Sequence, residues 1–397
     1  MTNQLVITNA RLIFPDRIVE KGYVVCREGI VSQTGEGEYQ ALDCDRILDA
    51  KGNYVSPGFI DMHTHGAGGH DFMDNTIEAY LGAAEMHARH GTTTLLPTTL
   101  ASTKDELLKT FEVYREAKQQ NTKGSSFLGL HLEGPYFSYN QRGAQDPEYI
   151  RNPEPEEYNM ILEAAGDDLI RWSMAPELKG ALELGTLLRS KGILAAIGHS
   201  DAVYEEVVDA WEMGFTHITH LYSCMSSITR RNAFRYAGVL EAAYLIDDMT
   251  VEIIADGIHV PKPLLHYVCK FKGLDKIALC TDSMRAAGMP DGEYRLGSLR
   301  KGQRVIVEDG VAKLPDRSAF AGSVATADRL VRTMTNVAGV SLLDSIRMIT
   351  GNPARMLGIN QRKGTLAVGK DADLVIFDEQ IAIQATIIKG NIVYSNM

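Results

Sequence analysis

The sequence predicts an α/β fold, a (β/α)8 TIM-like barrel with a small β-sandwich domain formed from both chain termini. Across the middle of the 397-residue chain, apolar strands alternate with amphipathic helices, which is the pattern of a (β/α)8 barrel. Short β-type runs separated by glycines occupy both ends. A doubly wound open sheet is the alternative. It is less favoured because no G-x-G-x-x-G or P-loop motif follows a strand.

The two ends of the chain are expected to form one small domain. Its predicted strands are Leu5–Thr8, Arg11–Phe14, Tyr23–Cys26 and Ile30–Val31 at the start, and Asp373–Phe377 and Thr386–Tyr394 at the end. We therefore expect residues 1–54 and 359–397 to make the small domain and residues 55–358 to make the barrel.

Within residues 55–358, apolar runs and periodic segments predict the strand and helix positions. The predicted barrel strands are Tyr54–Met62, Thr92–Pro97, Phe127–Glu133, Ile170–Ala175, Ile193–Gly198, Phe215–His220, Val251–Ala255 and Lys276–Thr281. The predicted helices between them are Ile77–His90, Lys104–Gln119, Pro155–Ala165, Ala181–Lys191, Tyr204–Met213 and Pro263–Lys270. A β-hairpin is expected over Pro290–Leu314, followed by closing helices over Thr326–Ala338 and Leu342–Thr350.

The composition predicts a soluble, cytoplasmic protein. The net charge is −11 with no offsetting basic stripe, so no nucleic-acid partner is expected. The five cysteines are scattered and never form C-x-x-C, which fits a reducing compartment and argues against a disulfide or zinc-finger framework. The N-terminus shows no signal-peptide pattern and no apolar run approaches a membrane span, so no membrane partner is expected.

Histidines and carboxylates recur at the C-terminal ends of the predicted strands, where functional residues of such barrels lie. The pair in His63-Thr64-His65 would point to one face of its strand and suit a shared ion. Singly, each histidine could be structural, and Asp282 could cap a helix. The repetition of such residues at successive strand ends around the barrel favours a functional site. His131 and His217 lie earlier on their strands and are expected to be structural. The strand-end set is His63, His65, Glu133, His199, His220 and Asp282, with His259 just past the seventh strand.

This residue set predicts metal-dependent hydrolysis. Imidazole nitrogens with carboxylate oxygens suit Zn²⁺, Fe²⁺ or Mn²⁺, with positions left for water. Such an ion draws the pKa of a water molecule toward 7 and prepares a nucleophile. Asp282 would accept the proton and pass it to the leaving group, and His259 would polarise the substrate carbonyl or hold the oxyanion.

A family resemblance rests on several motifs. The segments PGFIDMHTHG, HLEGPYF, IGHS, ADGIHV and the TDS that precedes RAAG resemble those of the N-acetylglucosamine-6-phosphate deacetylases of the amidohydrolase superfamily. The ending KGTLAVGKDADLVIFD is similar to a common amidohydrolase ending. The resemblance covers essentially the whole chain, and HLEGP and ADG-x-HV are specific to the deacetylase branch.

The resemblance implies a reaction, a cofactor and a site. The reaction is hydrolysis of the acetamide of an N-acetylated amino-sugar 6-phosphate, giving the free amine and acetate. Glu133, His199 and His220 would hold a divalent ion, which would be Zn²⁺ or Fe²⁺, with Mn²⁺ or Co²⁺ as further options. The intact His63/His65 pair implies a second ion bridged through Glu133, with Asp282 nearby, so one or two ions are expected per subunit.

The resemblance also implies substrate contacts and a homodimer. Arg231 matches a phosphate-binding arginine that family members lend to the neighbouring subunit, although from the residues alone it would be a solvated charge beside Arg230. Phe320, Ala321 and Gly322 match a substrate-lining loop. The complete expected substrate-binding set is Ala144, Gln145, Ser223, Cys224, Arg231, Asp256, His259, Phe320, Ala321 and Gly322.

Two departures from the family pattern leave the substrate open. Ser223 and Cys224 stand where the family usually has Asn-Ala, and Gln145 stands where a substrate-contacting histidine is usual. Both changes concern sugar or phosphate recognition, and neither concerns the metal or the base. The galactosamine epimer or another acylated sugar would also fit the altered pocket, so the 6-phosphate requirement stays open.

Two further classes are weaker alternatives. A cyclic-amide hydrolase would bridge two metals through a carbamylated lysine at the end of strand four, but that strand, IRWSMAPELKG, has no lysine at the expected position. A non-catalytic amidohydrolase-like scaffold is expected to lose ligands, whereas this chain keeps the metal set, Asp282 and His259.

Overall fold

A computed structural model of the chain describes residues 4–42 and 45–397, and Cys44 therefore lies outside the described residues. The predicted barrel is confirmed. Its strands follow one another around the barrel in chain order and run parallel. They span Phe59–Thr64, Thr92–Pro97, Leu130–Glu133, Leu169–Met174, Leu194–Ile197, Phe215–Ile218, Thr250–Ile253 and Ile277–Leu279.

Single β-bridges and a backbone hydrogen bond close the barrel at its C-terminal mouth. Thr98 pairs with His131 between the second and third strands, and Thr64 pairs with Ser283 between the first strand and the segment after the eighth. The amide of Asp282 donates to the carbonyl of His63 at 2.9 Å. The first and last predicted ligand segments are thus adjacent in the backbone.

Each barrel strand is followed by a helix. Thr76 caps the first helix by accepting from the amide of Ala79, and Gly214 ends the fifth in a left-handed conformation, which glycine adopts without strain. The helices predicted from periodicity are confirmed with small shifts at their ends, and Val239–Leu245 and Gly351–Met356 are additional. The barrel helices are Ile77–Arg89, Lys104–Gln120, Pro155–Ala165, Ala181–Ser190, Tyr204–Met213, Val239–Leu245, Lys262–Lys272 and Ala327–Asn336, with Leu342–Ile349 and Gly351–Met356 after them.

The prediction of one continuous strand over Tyr54–Met62 is wrong. Tyr54–Pro57 lies in the sheet built from both chain termini, where it pairs with Leu374–Phe377, and Phe59–Thr64 begins the barrel. The two meet at Gly58, where any side chain would collide with Thr93. The chain thus passes from this sheet into the barrel at the one residue type that allows such a close approach.

The predicted strand over Phe127–Glu133 is also interrupted. Ser126–Phe127 pairs with the second strand, and the third strand begins at Leu130. Gly129 stands between them, and a side chain there would meet Ile170. The apolar pattern runs through this break, which is why it predicted one strand.

Strands from both chain termini form one sheet, as predicted, around a separate apolar cluster that includes Ile7, Val24 and Leu374. Strand Gln4–Ile13 pairs along one edge with Ile18–Arg27 and along the other with two strands in succession, so the sheet branches there. The remaining strands are Ile30–Glu36, Asp45–Asp49, Tyr54–Pro57, Leu374–Phe377, Ile383–Ile388 and Asn391–Ser395.

The segment after the eighth strand is a three-stranded sheet of Gly292–Leu296, Gln303–Glu308 and Val311–Lys313, where a single hairpin was expected. A further hairpin, Thr229–Arg231 with Phe234–Tyr236, carries Arg231 after the sixth strand. Short two-residue strands at Gly66–Ala67 and His70–Asp71 follow the first barrel strand. Among the described residues, no helix is long and apolar enough to cross a membrane.

Candidate metal centre

The predicted ligand set meets at the C-terminal mouth of the barrel, and every member is buried. Glu133 lies at its middle. Its Oε1 is 3.3 Å from His199 Nε2 and 3.1 Å from His220 Nε2. The ligand atoms of these three residues lie within 4.8 Å of one another. They form one of three such groups among the described residues; the others are His63, His65 and Glu133, and His63, Glu252 and Cys280.

The second group shares Glu133 and contains the two histidines of the His63-Thr64-His65 sequence. Glu133 Oε1 is 3.5 Å from His63 Nε2, and Oε2 is 3.4 Å from His65 Nε2. Asp282 Oδ1 lies 3.3 Å and 3.1 Å from the same two nitrogens. Glu133 therefore belongs to both of these groups and lies between their histidines.

Three of these residues have unfavourable backbone conformations. His199, His220 and Asp282 have φ angles of 50°, 29° and 46°, in the left-handed region that non-glycine residues rarely occupy. Such strain is held in place by the surrounding structure and clusters at functional sites. Here it turns side chains from the strand ends toward Glu133.

The residues present fit one or two divalent ions. His63 Nε2 is buried without a hydrogen-bond partner among the described residues, although buried polar atoms are normally satisfied. It faces Glu133 and Asp282, and nitrogen with carboxylate oxygen is the donor set that Zn²⁺ and Fe²⁺ accept. An ion at this position would satisfy the unpartnered nitrogen.

Three ligand histidines have their second ring nitrogen fixed. The Nδ1 of His63 donates to Glu252 Oε1 at 2.8 Å, that of His65 to the Thr98 carbonyl at 3.3 Å, and that of His199 to the Gln141 carbonyl at 2.8 Å. Placing the proton on Nδ1 leaves the Nε2 lone pair free for a metal, which is the usual arrangement around metal-ligating histidines.

The electrostatic field of the centre favours a cation. Burial raises the pKa of Glu133, but the surrounding histidines, His63 foremost, lower it well below its usual range. Burial lowers the pKa of His65, yet Asp282 and Glu133 raise it to about 10. Burial raises the pKa of Asp282, and His63 and His65 bring it below its ordinary value. Both carboxylates therefore stay ionised and attract positive charge to the Nε2 atoms.

Glu252 and Arg171 lie in the barrel interior beneath the ligand histidines. Neither was predicted from the sequence. Both are fully buried within barrel strands, and Arg171 Nη1 donates to Glu252 Oε2 at 2.5 Å. Burial raises the pKa of Glu252, but Arg171 and His63 lower it well below its usual range. A single charged residue inside a buried strand is the sequence signal that could have revealed each of them, since such residues are rarely buried unpaired.

His259 lies beside the centre, held by Asp256. Its Nδ1 donates to Asp256 Oδ2 at 2.8 Å, and the amides of Ile258 and His259 donate to Asp256 Oδ1. The His259 ring lies 4.6 Å from the Phe320 ring, centroid to centroid. Asp256 thus fixes the tautomer and leaves His259 Nε2 available as a hydrogen-bond donor or acceptor at the cavity.

A cleft with a cavity volume of about 220 Å³ opens above the ligands, and a concave site with convergent polar groups is suited to a small molecule. Besides the ligands, its wall includes several predicted substrate residues: Ala144, Gln145, Ser223, Cys224, His259, Phe320 and Gly322. Tyr222, Ile254 and Leu296 line it too and were not predicted. Gln145 and Cys224, which depart from the family pattern, therefore face the position of a bound ligand.

Three residues that were predicted to bind the substrate are not among those that line the cleft. Asp256 stands behind His259. Ala321 is fully buried and packs with Met284 and Val305 in the apolar cluster of the insertion. Arg231 is exposed on its hairpin, with its guanidinium 5.5 Å from the centroid of the Tyr236 ring. Arg231 is not among the described residues that line the cleft.

Fold and ligand arrangement together define a metal-dependent barrel hydrolase, and comparison with known proteins agrees. Residues 54–393 match the amidohydrolase family. The chain therefore belongs to the amidohydrolase family, and within it to the N-acetylglucosamine-6-phosphate deacetylase family, as its relatives indicate. The deacetylase of that name from Bacillus subtilis is 33% identical over 99% of this chain and 98% of its own length.

The chain is also similar to two other deacetylases. N-acetylgalactosamine-6-phosphate deacetylase of Escherichia coli is 32% identical over 87% of this chain and 89% of its own. The solved structure of a mutant of the Mycobacterium smegmatis N-acetyl-D-glucosamine-6-phosphate deacetylase, in complex with N-acetyl-D-glucosamine-6-phosphate, superposes with a TM-score of 0.89 at 32% identity. It covers 99% of this chain and 100% of that one.

Proposed function

We propose that the protein hydrolyses the acetamide of N-acetyl-D-glucosamine 6-phosphate, giving D-glucosamine 6-phosphate and acetate. The observation that carries this is the pairing of a shared-carboxylate ligand set with Asp282 and His259 in one small-molecule cleft. The full-length relatives named as deacetylases of this substrate support the choice of amide and sugar.

The chain's own residues have distinct parts in this reaction. Asp282 accepts a proton from the attacking water and delivers it to the amide nitrogen as the C–N bond breaks. His259 donates a hydrogen bond to the carbonyl oxygen, on which negative charge develops. Asp256 keeps His259 in the orientation and tautomer that this requires. The reaction balances, because one water molecule is consumed and one acetate and one free amine are released.

The cofactor in this proposal is a divalent metal. Glu133, His199 and His220 would hold one ion, and Glu133, His63, His65 and Asp282 would hold a second. When bound, such ions act as Lewis acids toward the carbonyl and lower the pKa of water. Zn²⁺ or Fe²⁺ best suits the mixed nitrogen and oxygen donors, with Mn²⁺ or Co²⁺ as alternatives.

We also propose a cytoplasmic homodimer. Arg231 is exposed and lies off the cleft of its own subunit, so it would reach the sugar phosphate in the neighbouring active site, where a guanidinium can bind phosphate with two hydrogen bonds. The described cysteines, Cys26, Cys224, Cys269 and Cys280, are all free thiols, which supports a reducing compartment.

N-acetyl-D-galactosamine 6-phosphate is a second candidate substrate. The specific observation in its favour is that Gln145, Ser223 and Cys224 line the cleft where the family pattern differs. The relative named N-acetylgalactosamine-6-phosphate deacetylase is 32% identical over 87% of this chain. The two sugars differ only in the orientation of one hydroxyl, so wall residues can decide between them.

A substrate screen tests the proposal. Acetate release is measured by enzymatic assay from N-acetylglucosamine 6-phosphate, its galactosamine and mannosamine epimers, and unphosphorylated N-acetylglucosamine. We expect the highest kcat/KM for the glucosamine 6-phosphate and a marked loss without phosphate. A higher kcat/KM for the galactosamine epimer would replace the first candidate with the second. If none of these sugars releases acetate, both candidate substrates are refuted.

A further inference from the structure

The ion pair of Arg171 and Glu252 lies in the barrel interior directly beneath the metal centre. Two hydrogen bonds join the pair, from Arg171 Nη1 to Glu252 Oε2 at 2.5 Å and from Nη2 to Oε1 at 2.8 Å. Neither side chain is exposed at all. Burying two charges is costly and gives little net stability over apolar residues of similar volume, so the pair calls for an explanation other than packing.

The pair contacts both ligand groups. Glu252 Oε1 accepts from His63 Nδ1 at 2.8 Å and from the amide of His220 at 3.3 Å. His63 belongs to the second ion's group and His220 to the first's. One carboxylate oxygen thus touches a ligand of each proposed ion without itself entering either site.

Arg171 holds the residues that precede the same two ligands. Its Nη1 donates to the carbonyl of Met62 at 3.1 Å, and its Nη2 donates to Thr219 Oγ1 at 2.9 Å. Met62 precedes His63, and Thr219 precedes His220. The guanidinium therefore fixes the backbone at one ligand and a neighbouring side chain at the other.

The two contacts of Glu252 have different consequences. His63 can offer Nε2 to an ion only if Nδ1 carries the ring proton, and Glu252 is the acceptor that keeps it there. The acceptor of this proton is a carboxylate for His63 but a backbone carbonyl for His65 and His199. At His220, the hydrogen bond to the amide restrains a residue whose φ is 29°.

We propose that Arg171 and Glu252 are positioning residues that orient His63 and His220, and that binding of the second ion depends on the hydrogen bond from His63 Nδ1 to Glu252. This inference rests on the two-ion centre proposed above. Loss of the acceptor frees the His63 ring to rotate or to change tautomer, and His65, Glu133 and Asp282 alone then hold the second ion more weakly.

Two double variants separate the effect of losing the hydrogen-bond acceptor of His63 from the effect of losing the Glu252 charge. Removing Glu252 alone would leave Arg171 buried and unpaired, which can unfold the protein. Both variants therefore carry Arg171→Met, combined with either Glu252→Gln or Glu252→Leu. The first keeps a carbonyl that can accept from His63 Nδ1, and the second has no acceptor. Both have the same net charge and similar volume.

A control pair tests for general destabilisation. Lys363 and Asp373 form a buried ion pair. Lys363→Met with Asp373→Leu removes that pair far in sequence from every predicted ligand. We expect this variant to lower the melting temperature and to keep its metal content.

The readout is metal per subunit after equilibration at buffered free Zn²⁺, with affinity taken from chelator competition. We expect the Glu252→Leu double variant to bind the second ion about 10- to 100-fold more weakly than wild type, with the Glu252→Gln double variant between the two. Equal second-ion affinity in the two double variants would overturn the proposal. A wild-type protein that holds a single ion would also overturn it, without affecting the proposed reaction, which acetate release measures separately.

Discussion

Gln145 Nε2 donates a 2.7 Å hydrogen bond to Glu133 Oε2, the carboxylate oxygen that faces His65. The other end of the Gln145 amide accepts from the backbone amide of Ala101 at 2.8 Å. Gln145 is buried, so both bonds are shielded from water. The residue that departs from the family pattern therefore supports the central carboxylate as well as lining the cleft.

Gln145→Leu should weaken metal binding. The substitution removes a donor to Glu133, and loss of such supporting bonds typically costs about 10- to 100-fold in metal affinity. It also leaves the Ala101 amide unsatisfied, which costs about 1–3 kcal/mol of stability. Chelator competition and chemical denaturation measure the two effects. Gln303→Leu is the control, because the Gln303 side chain donates to the Ala144 carbonyl and, among the described residues, to no predicted metal ligand. Equal metal affinity in both variants would contradict this role.

Asp282→Asn should lower kcat by about 10²- to 10⁴-fold, the usual contribution of a general base, because an amide cannot accept the proton of the attacking water. The ion held by Glu133, His199 and His220 should remain, and metal analysis on the same preparation checks this. Asp291→Asn, at an exposed position, should retain wild-type turnover. Turnover near wild type in Asp282→Asn would exclude Asp282 as the base.

Arg231→Ala should raise KM for the phosphorylated sugar by about 10- to 100-fold, the cost of a hydrogen bond to a charged group, and should leave unphosphorylated sugar nearly unaffected. Arg235→Ala, on the same hairpin, is the matched control. If KM rises equally for phosphorylated and unphosphorylated sugars, Arg231 does not bind the phosphate.

Mixed dimers test whether Arg231 acts on the neighbouring subunit. When Asp282→Asn and Arg231→Ala subunits exchange, one site of each mixed dimer combines an intact Asp282 with an intact Arg231 from the other chain. Activity above that of both parents is therefore expected. No gain on mixing would place Arg231 in its own subunit's site or outside the reaction.

Asp328 should stabilise the protein at neutral pH and not in acid. Burial raises its pKa, but the hydrogen bond from His90 and the charge of Arg332 bring it from 3.8 down to about 2. Because the folded-state pKa is the lower one, this stability is present above pH 4 and is lost as the pH falls toward 2. Such a change in pKa corresponds to about 2 kcal/mol.

Urea denaturation of Asp328→Asn at pH 7 and pH 3 measures this contribution. The variant should lose about 2 kcal/mol at pH 7, and its difference from wild type should shrink at pH 3. Asp344→Asn is the control, since its half-exposed pair with Arg347 should contribute less than about 1 kcal/mol. A pH-independent difference for Asp328→Asn would show that its charge is not responsible.

Much of the barrel and its ligands could be predicted because both leave periodic signals. Strand-end positions recur once per βα unit, so His63, Glu133, His199, His220 and Asp282 could be placed at one mouth from the sequence alone. The breaks at Gly58 and Gly129 could not, since they depend on Thr93 and Ile170 approaching from other parts of the fold.

Other features depend on contacts between distant segments. The Arg171–Glu252 pair joins the fourth and seventh strands across the barrel interior, and nothing local to either strand identifies its partner. The hairpin that carries Arg231 has no alternating apolar pattern because both of its strands are exposed. The division of the chain at residues 54 and 358 stays a prediction.

The central claim is metal-dependent release of acetate from N-acetyl-D-glucosamine 6-phosphate, and the most direct measurement compares metal-stripped protein with the same protein reloaded with Zn²⁺ or Fe²⁺. Acetate and D-glucosamine 6-phosphate are quantified together. We predict negligible turnover after stripping, recovery on reloading, and equal amounts of the two products. Undiminished turnover in stripped protein, or no acetate from the reloaded protein, would contradict the account.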